Sequence, residues 1–588
     1  MNKQLDEQNL RVHQIDCAAG RKKAQLVLKH ASVVNVFTNT LEQQDIAIDH
    51  GYIVGLGEYQ GVQEVDLAGR IVCPGFLDGH IHLESSMVAP GEFAKAVLPH
   101  GTTAVITDPH EIANVAGCQG IDFMLEATKN LGLDVYIMLP SCVPATELDE
   151  AGAVLEADDL KTYYQNGRIL GLAEMMNSYG TVRADSGILE KIDDAQMAGG
   201  VVDGHAPLLS GKDLNAYVLA GVQSDHECSQ YEEALEKIKR GQWIMVRQGT
   251  AAKNLEALLP LFQEPFYQRC MLATDDKHPG DLRRGGHMDF IIREAVKGGA
   301  DPFHAIRMAT LHTAEYFGLK DRGAVAPGYL ADLVVLSDLA SFQVEQVYKA
   351  GILTVEEGKL LPEIQKEFGN PWTKRWPRVT NSFYMDPITE DDLSLTGEAG
   401  MSQRVIRLTP GELLTVEEIV PWSQQDGLAP GVDLEHDIVK MAVLERHGKS
   451  GNIGLGYLKG YGLKEGAVAS SVAHDSHNLI LVGTNDADMI LAGNRVRELN
   501  GGLVVVKQGK ILGELPLPIA GLMSLQTVER TDEVLERLKE FLYQMGVPRE
   551  IDPFMTLSFA SLPVIPAIRL NTYGVVDVGR QRIMPPVF

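Results

Sequence analysis

Two histidines two positions apart, His80 and His82, follow an apolar run that begins at Ile71. On an extended strand, residues two apart point to the same side. Two imidazoles can therefore aim at one point, as a metal ion requires. A lone His-x-His reads as readily as two polar residues at a strand end, so the rest of the chain decides. It supplies Asp108, His110 and Glu111, then Glu174, His205, His226 with Glu227, and Asp275 with Asp276. Four imidazoles and two carboxylates (His80, His82, His205, His226, Glu174, Asp275), with no thiolate, suit zinc, manganese or iron. Six ligands are too many for one tetrahedral ion that keeps a position open. They suffice for two ions, with Glu174 as the bridge. Two ions would lower the pKa of a shared water, and Asp275 would take its proton and pass it to a leaving group.

Such residues can meet only if the elements that carry them converge. Strand patterns fall at Ile71–Leu77, Thr103–Thr107, Val135–Pro140, Ile169–Met175, Gly200–Asp203, Val222–Asp225, Trp243–Arg247 and Cys270–Thr274. Helical patterns separate them at the spacing of a β/α unit. Eight units in about 250 residues predict an α/β fold, a (β/α)8 TIM barrel. Each candidate ligand then sits at the C-terminal end of a strand, the face where active sites of this barrel lie. An open doubly wound sheet would call for a glycine-rich phosphate loop after its first strand, and none stands there. Asp78-Gly79 reads as a sharp turn that lifts the two imidazoles out of the first strand.

The barrel is expected over 71–319. Short strand runs over 1–70 and again over 320–365, including Pro327–Leu336, predict a small β-sandwich built from flanking segments. Residues 366–402 read as a connector and 403–588 as an extra C-terminal α+β domain, a lid over the barrel mouth. His474 and His477, in a polar run, could face that mouth, bind a further ion or cap a strand. His278 and His287 lie in a Gly- and Arg-rich loop and read as rim residues. His100, His304 and His312 read as structural.

A net charge of −27 repels phosphate backbones and anionic lipid. That excludes nucleic acid and membrane surfaces as partners and leaves a small-molecule substrate. Six scattered cysteines without C-x-x-C spacing fit buried thiols in a reducing cytoplasm. There is no signal-peptide pattern over the first residues, and no apolar run of about 18 residues. The zinc nucleobase deaminases of another fold use H-x-E followed by P-C-x-x-C. His82-Leu83-Glu84 fits the first half, but no P-C-x-x-C exists in the chain.

The opening Pro74-Gly75-Phe76-Leu77-Asp78-Gly79-His80-Ile81-His82 resembles the amidohydrolase superfamily. So do the single histidines after strands 5 and 6, the aspartate after strand 8, and the return Pro327–Val335. Thr107–Val115, Gly171–Asn177, Asp203–Pro207 and Thr274–Asp276 resemble its bacterial adenine deaminase branch, as do His474–Asn478 and Gly483–Met489. The resemblance implies hydrolysis of adenine to hypoxanthine and ammonia by a metal-bound hydroxide. It implies two divalent metal ions per chain, Mn2+ ahead of Fe2+ and Zn2+ last. Carried over, His80, His82, Glu174, His205, His226 and Asp275 are the ligands. Asp108, His110 and Asp276 are substrate-binding candidates. Glu111, Glu227 or Asp276 would protonate the ring nitrogen. Many relatives bridge their metals through a carboxylated lysine; Gly171–Asn177 has no lysine, which counts against hydantoinase-like readings. The alternatives are another amidohydrolase acting on a cyclic amide or aminated heterocycle, and a barrel scaffold without metals. A homo-oligomer, a dimer, is expected.

Overall fold

The computed structural model describes residues 2–250, 252–365, 376–398, 400–409 and 414–588. The chain begins with a helix, Asn2–Ala18, and then enters a sheet. Ala24–Asn35 pairs with Thr40–Asp49 on one side and with Ile71–Pro74 on the other. Leu333–Leu336 comes back from beyond the barrel and pairs antiparallel with Ile71–Pro74, Val334 opposite Cys73. Val344–Lys349, Ile352–Glu356 and Lys359–Leu360 extend the same nine-stranded sheet. Val33, Ile46, Ile48, Val72, Leu333 and Val335 form its own buried core.

Eight parallel strands form the barrel, at Phe76–Ile81, Thr102–Thr107, Asp134–Leu139, Ile169–Met175, Val201–Gly204, Ser224–Asp225, Trp243–Arg247 and Cys270–Ala273. The first five pair in order, as do the last three. A parallel bridge from Ile81 to Asp275 joins the eighth strand to the first. The residues are almost all buried, because helices cover one face of each strand and the packed interior the other. Caps set several helix starts. Asp185 accepts from Gly187 N and Ile188 N ahead of Ser186–Met197, and Asp301 accepts from Phe303 N with Pro302 in the first turn.

The first barrel strand differs from the sequence expectation. The apolar run Ile71–Leu77 is two strands in two sheets. Pro74 donates no hydrogen bond, and Gly75 N donates to Asp332 O at 2.8 Å. A Cβ on Gly75 would lie 2.3 Å from Thr103 Oγ1, so only glycine lets the chain cross there. Nor do Asp78 and Gly79 form a turn. Both are strand residues, and the strand runs on to Ile81. Asp78 is fully buried and accepts from Thr274 N (3.0 Å) and Thr274 Oγ1 (2.5 Å), lacing the first strand to the end of the eighth. His287 is no rim residue. It is fully buried, with Nε2 3.2 Å from Asp78 Oδ2 and Nδ1 2.8 Å from Thr102 Oγ1. His278 is also buried, 3.7 Å from Asp552.

The connector read over 366–402 lies outside the described residues at 366–375 and 399. The C-terminal region carries an eight-stranded sheet with Ile438–Leu444 and Leu479–Gly483 at its centre, and a three-stranded sheet near the end. Its helices are Asp486–Glu498, Val528–Gln544 and Pro553–Ala560. This region lies against the barrel. Arg284 pairs with Asp532 at 2.7 Å, Asn478 Nδ2 donates to Glu150 O at 2.7 Å, and Val88 bridges to Ser524. No helix among the described residues is long and apolar enough to cross a membrane.

Candidate metal centre at the barrel mouth

The first strand ends by delivering His80 and His82, whose Nε2 atoms face each other at 3.2 Å. His82 Nδ1 donates to Asp108 O at 3.0 Å, which leaves its Nε2 lone pair for a ligand. Glu174, at the end of the fourth strand, lies among four imidazoles. Its Oε1 is 3.2 Å from His82 Nε2 and 3.7 Å from His80 Nε2. Its Oε2 is 2.6 Å from His205 Nδ1 and 3.1 Å from His226 Nε2. Asp275 Oδ1 is 3.2 Å from His82 Nε2 and 3.7 Å from His80 Nε2. The sets His80, His82, Asp275 and His80, Glu174, His226 each bring their donor atoms within 4.8 Å of one another. All six are buried except His205, whose side chain is 13% exposed.

Electrostatics bind the cluster together. Burial alone would raise the Glu174 carboxyl, but His226 and His205 hold it well below the carboxylate range. Asp275 is likewise kept low against burial by Arg247 and His82. Burial and the neighbouring His226 push His80 well below the usual imidazole range. His205 rises to about 9 against its burial, because Glu227 and Glu174 face it.

The donor chemistry fits divalent cations. Lone-pair nitrogens of His80 and His82 and oxygens of two carboxylates converge on one small volume, all of them acceptors once the imidazoles are neutral. The buried Nδ1 of His226 has no hydrogen-bond partner, so its Nε2 facing Glu174 is the nitrogen the structure orients. Acceptors crowded in this way repel one another unless cations lie between them.

Of the other residues picked out in the sequence, His110, Glu111, Glu227 and Asp276 line a cavity at the barrel mouth with His82, Glu174, His205, His226 and Asp275. Asp108 does not line it. It stands behind His110, its Oδ2 2.8 Å from His110 Nδ1. Glu227 is fixed by Arg247, whose Nη1 also donates to Asp275 Oδ2 at 2.5 Å. Burial would raise Glu227, but Arg247 holds it low as a carboxylate. Asp276 accepts from Ser85 Oγ, and burial with Asp275 beside it pushes its carboxyl up to about 6.

Sequence reasoning passed over Arg247, although it ends the seventh strand and its position at the mouth follows from that. It also passed over Ser85, Asp475, Phe559, Leu562 and Ile565. Of these, all but Ser85 line the cavity from the C-terminal region, together with His474. His474 and His477 both turn toward Glu111, at 3.2 and 3.9 Å.

A family model for the adenine deaminase C-terminal domain matches residues 412–582, and the amidohydrolase family model matches residues 71–354. The adenine deaminase of Bacillus pumilus (strain SAFR-032) is 46% identical over 573 residues, covering 97% of this chain and 98% of that protein. Adenine deaminase 2 of Carboxydothermus hydrogenoformans is 46% identical over 571 residues, with the same coverage. Among solved structures, a dihydropyrimidinase from Brevibacillus agri NCHU1002 is 17% identical at a TM-score of 0.45, covering 57% of this chain and 96% of that one.

Proposed function

The chain belongs to the adenine deaminase family of amidohydrolases, and we propose on that premise that it hydrolyses adenine to hypoxanthine and ammonia in purine salvage. The observation that carries this reading within the molecule is the junction of a six-residue cluster of candidate ligands with a partly apolar cavity. His80, His82, Glu174, His205, His226 and Asp275 would hold two divalent cations. Glu174 would contribute an oxygen to each, since its two oxygens face different pairs of imidazoles. The nitrogen and oxygen donor set accepts zinc, manganese or iron; the preference for Mn2+ or Fe2+ over Zn2+ is what the family resemblance implies. Bound cations would supply Lewis acidity and a water of lowered pKa.

The remaining chemistry belongs to side chains. Asp275, kept ionised by Arg247, accepts the proton given up by the attacking water. Asp276, hydrogen-bonded by Ser85 Oγ, donates to the ring nitrogen next to the amine-bearing carbon. Glu227 stays a carboxylate under Arg247; it is an acceptor for a substrate N–H rather than an acid. Asp108 acts through His110, whose Nδ1–H it receives, leaving the other ring nitrogen for substrate. Phe559, Leu562 and Ile565 offer apolar faces to a flat heterocycle.

We propose further that the chain works in the cytoplasm, which its six free cysteines support, and as a homodimer, which sedimentation would test. The central experiment mixes Mn2+-loaded protein with adenine, adenosine, cytosine, guanine and hydantoin and follows ultraviolet spectra and ammonia. Rapid conversion of adenine alone is the expected result. Turnover of a cyclic amide and not of adenine would overturn the proposal.

A further inference from the structure

A second cluster lies at the mouth beside the ligands. Donor atoms of Glu111, His474 and His477 lie within 4.8 Å of one another, which invites a third metal. The hydrogen bonding argues otherwise. His477 Nδ1 accepts from Ala473 N at 3.2 Å, so the neutral ring carries its proton on Nε2, the nitrogen 3.9 Å from Glu111 Oε2. A nitrogen that carries a proton is not a ligand. The cluster is instead a carboxylate surrounded by N–H and O–H groups. Ser85 Oγ lies 3.1 Å from Glu111 Oε1, its single proton shared between that oxygen and Asp276, and His474 Nδ1 lies 3.2 Å from the same Glu111 oxygen.

We propose that His474, carried in from the C-terminal domain, is the catalytic residue that protonates the departing amine, and that Glu111 is the positioning residue that holds it. The proposal rests on the deaminase reading above. His474 lines the cavity and is 4% exposed. Its ring stacks on Phe559 at 4.6 Å between centroids, with an interplanar angle of 25°. With Nδ1 engaged by Glu111, Nε2 has no protein hydrogen-bond partner among the described residues. It is the free donor of an imidazolium at the cavity wall. The charged and titratable groups around it are Glu111 on the helix His110–Ala116, Asp276 and His278 in the loop after the eighth strand, and Asp475 and His477 beside it. Burial would strip the proton from His474, but Asp276 and Glu111 outweigh it and raise the group to about 9. Glu111 is correspondingly held low, against its own burial. An acid of that strength suits an amine, whose conjugate acid lies at about 8–10. It is too weak for a feebly basic ring nitrogen.

The step balances. Water adds its oxygen to the amine-bearing carbon. As the carbon–nitrogen bond breaks, nitrogen keeps the electron pair and takes the proton from His474 Nε2. The last proton of the added oxygen, lost as the carbonyl forms, restores the imidazolium. The first water proton, taken by Asp275, replaces the one Asp276 gave to the ring nitrogen, so one water proton ends on the ring and the other in ammonia.

The test uses metal-loaded, full-length His474→Gln with adenine and with 6-chloropurine, whose chloride leaves without a proton. We expect kcat for adenine to fall about 10²–10⁴-fold, kcat for 6-chloropurine to stay within about fivefold, and metal content to hold. Equal losses on both substrates, or no loss on adenine, would overturn the proposal. Should that variant lose metal or fail to fold, Glu111→Gln decides. It removes the carboxylate that retains the proton, so the alkaline limb of kcat for adenine moves at least about one unit toward lower pH; an unmoved limb overturns the proposal. Failure of the wild-type protein to release ammonia from adenine would instead count against the deaminase reading.

Discussion

Replacing Arg247 with methionine tests how the mouth tolerates its negative charge. Arg247 is 5% exposed and donates to both Glu227 and Asp275. Methionine keeps much of the volume and removes the cation, leaving the Glu227 carboxylate, its side chain 12% exposed, without its arginine partner. Breaking a buried pair by deleting one member costs about 3–5 kcal/mol. Protonation of Glu227 caps that cost. Taking a carboxyl from its ordinary pKa of about 4.3 to neutral at pH 7 costs about 3.7 kcal/mol, at 1.36 kcal/mol per unit. The sign follows from linkage. In the wild-type protein the pKa of Glu227 is depressed by Arg247, so its contribution is present above the unfolded-state value and lost only as pH falls through the lower folded one. In Arg247→Met the folded pKa is raised, and stability drops as pH rises from about 4 toward that raised value. The destabilisation should therefore be about 3–4 kcal/mol at pH 7 and about 1 kcal/mol at pH 5. At roughly 2 °C per kcal/mol for a domain of the barrel's size, the Mn2+-saturated protein should melt about 6–8 °C lower at pH 7. Scanning calorimetry at both pH values with saturating metal is the assay. A loss that is the same at pH 5 and pH 7 would refute the reasoning, because it would mean lost packing rather than an uncompensated carboxylate.

Other consequences can be checked together. His82→Ala or Glu174→Gln should abolish adenine turnover and lower bound metal, measured by mass spectrometry of the metal; full activity in either would remove that residue from the site. Phe559→Ala should raise KM for adenine about 5–160-fold, the range of about 1–3 kcal/mol for an aromatic ring stacked on a base, with metal content unchanged. Gly75→Val should sharply reduce folded yield, because its Cβ would meet Thr103; normal expression and an unchanged melting temperature would contradict the close-crossing argument.

The convergence of the six candidate residues was legible in the sequence because a barrel converts chain order into position. Once eight strands are recognised, whatever follows each strand must face one mouth, so His205, His226 and Asp275 could be gathered without coordinates. Arg247 was equally legible on that rule, but a cation is not looked for among metal ligands. The first strand was misread for a local reason. Ile71–Leu77 is uniformly apolar because both strands within it are buried, in different sheets, and hydropathy does not register a change of sheet. Pro74-Gly75 was the only punctuation. His287 was misplaced because the glycines and arginines around it look like a surface loop, whereas its own ring lies under the first strand against Asp78.

What periodicity could not supply was the docking of the C-terminal region. His474 lies some 360 residues along the chain from Glu111, and nothing in either segment's pattern names the other. Physical need does point to such a partner. Glu84 and Glu111, both buried, raise each other's cost of ionisation; Glu84 is pushed up to about 8 by burial and by Glu111. A barrel alone would leave that carboxylate pair to water. With His474 and His477 over it, Glu111 is held ionised, and Phe559 closes the space above the ring. The C-terminal domain is then more than a cover. Severing it should leave the six candidate ligands in place, since all lie in the barrel, while removing the groups that hold Glu111 charged and the apolar wall of the cavity. Catalysis and metal binding are therefore expected to separate at the domain boundary rather than at the barrel mouth.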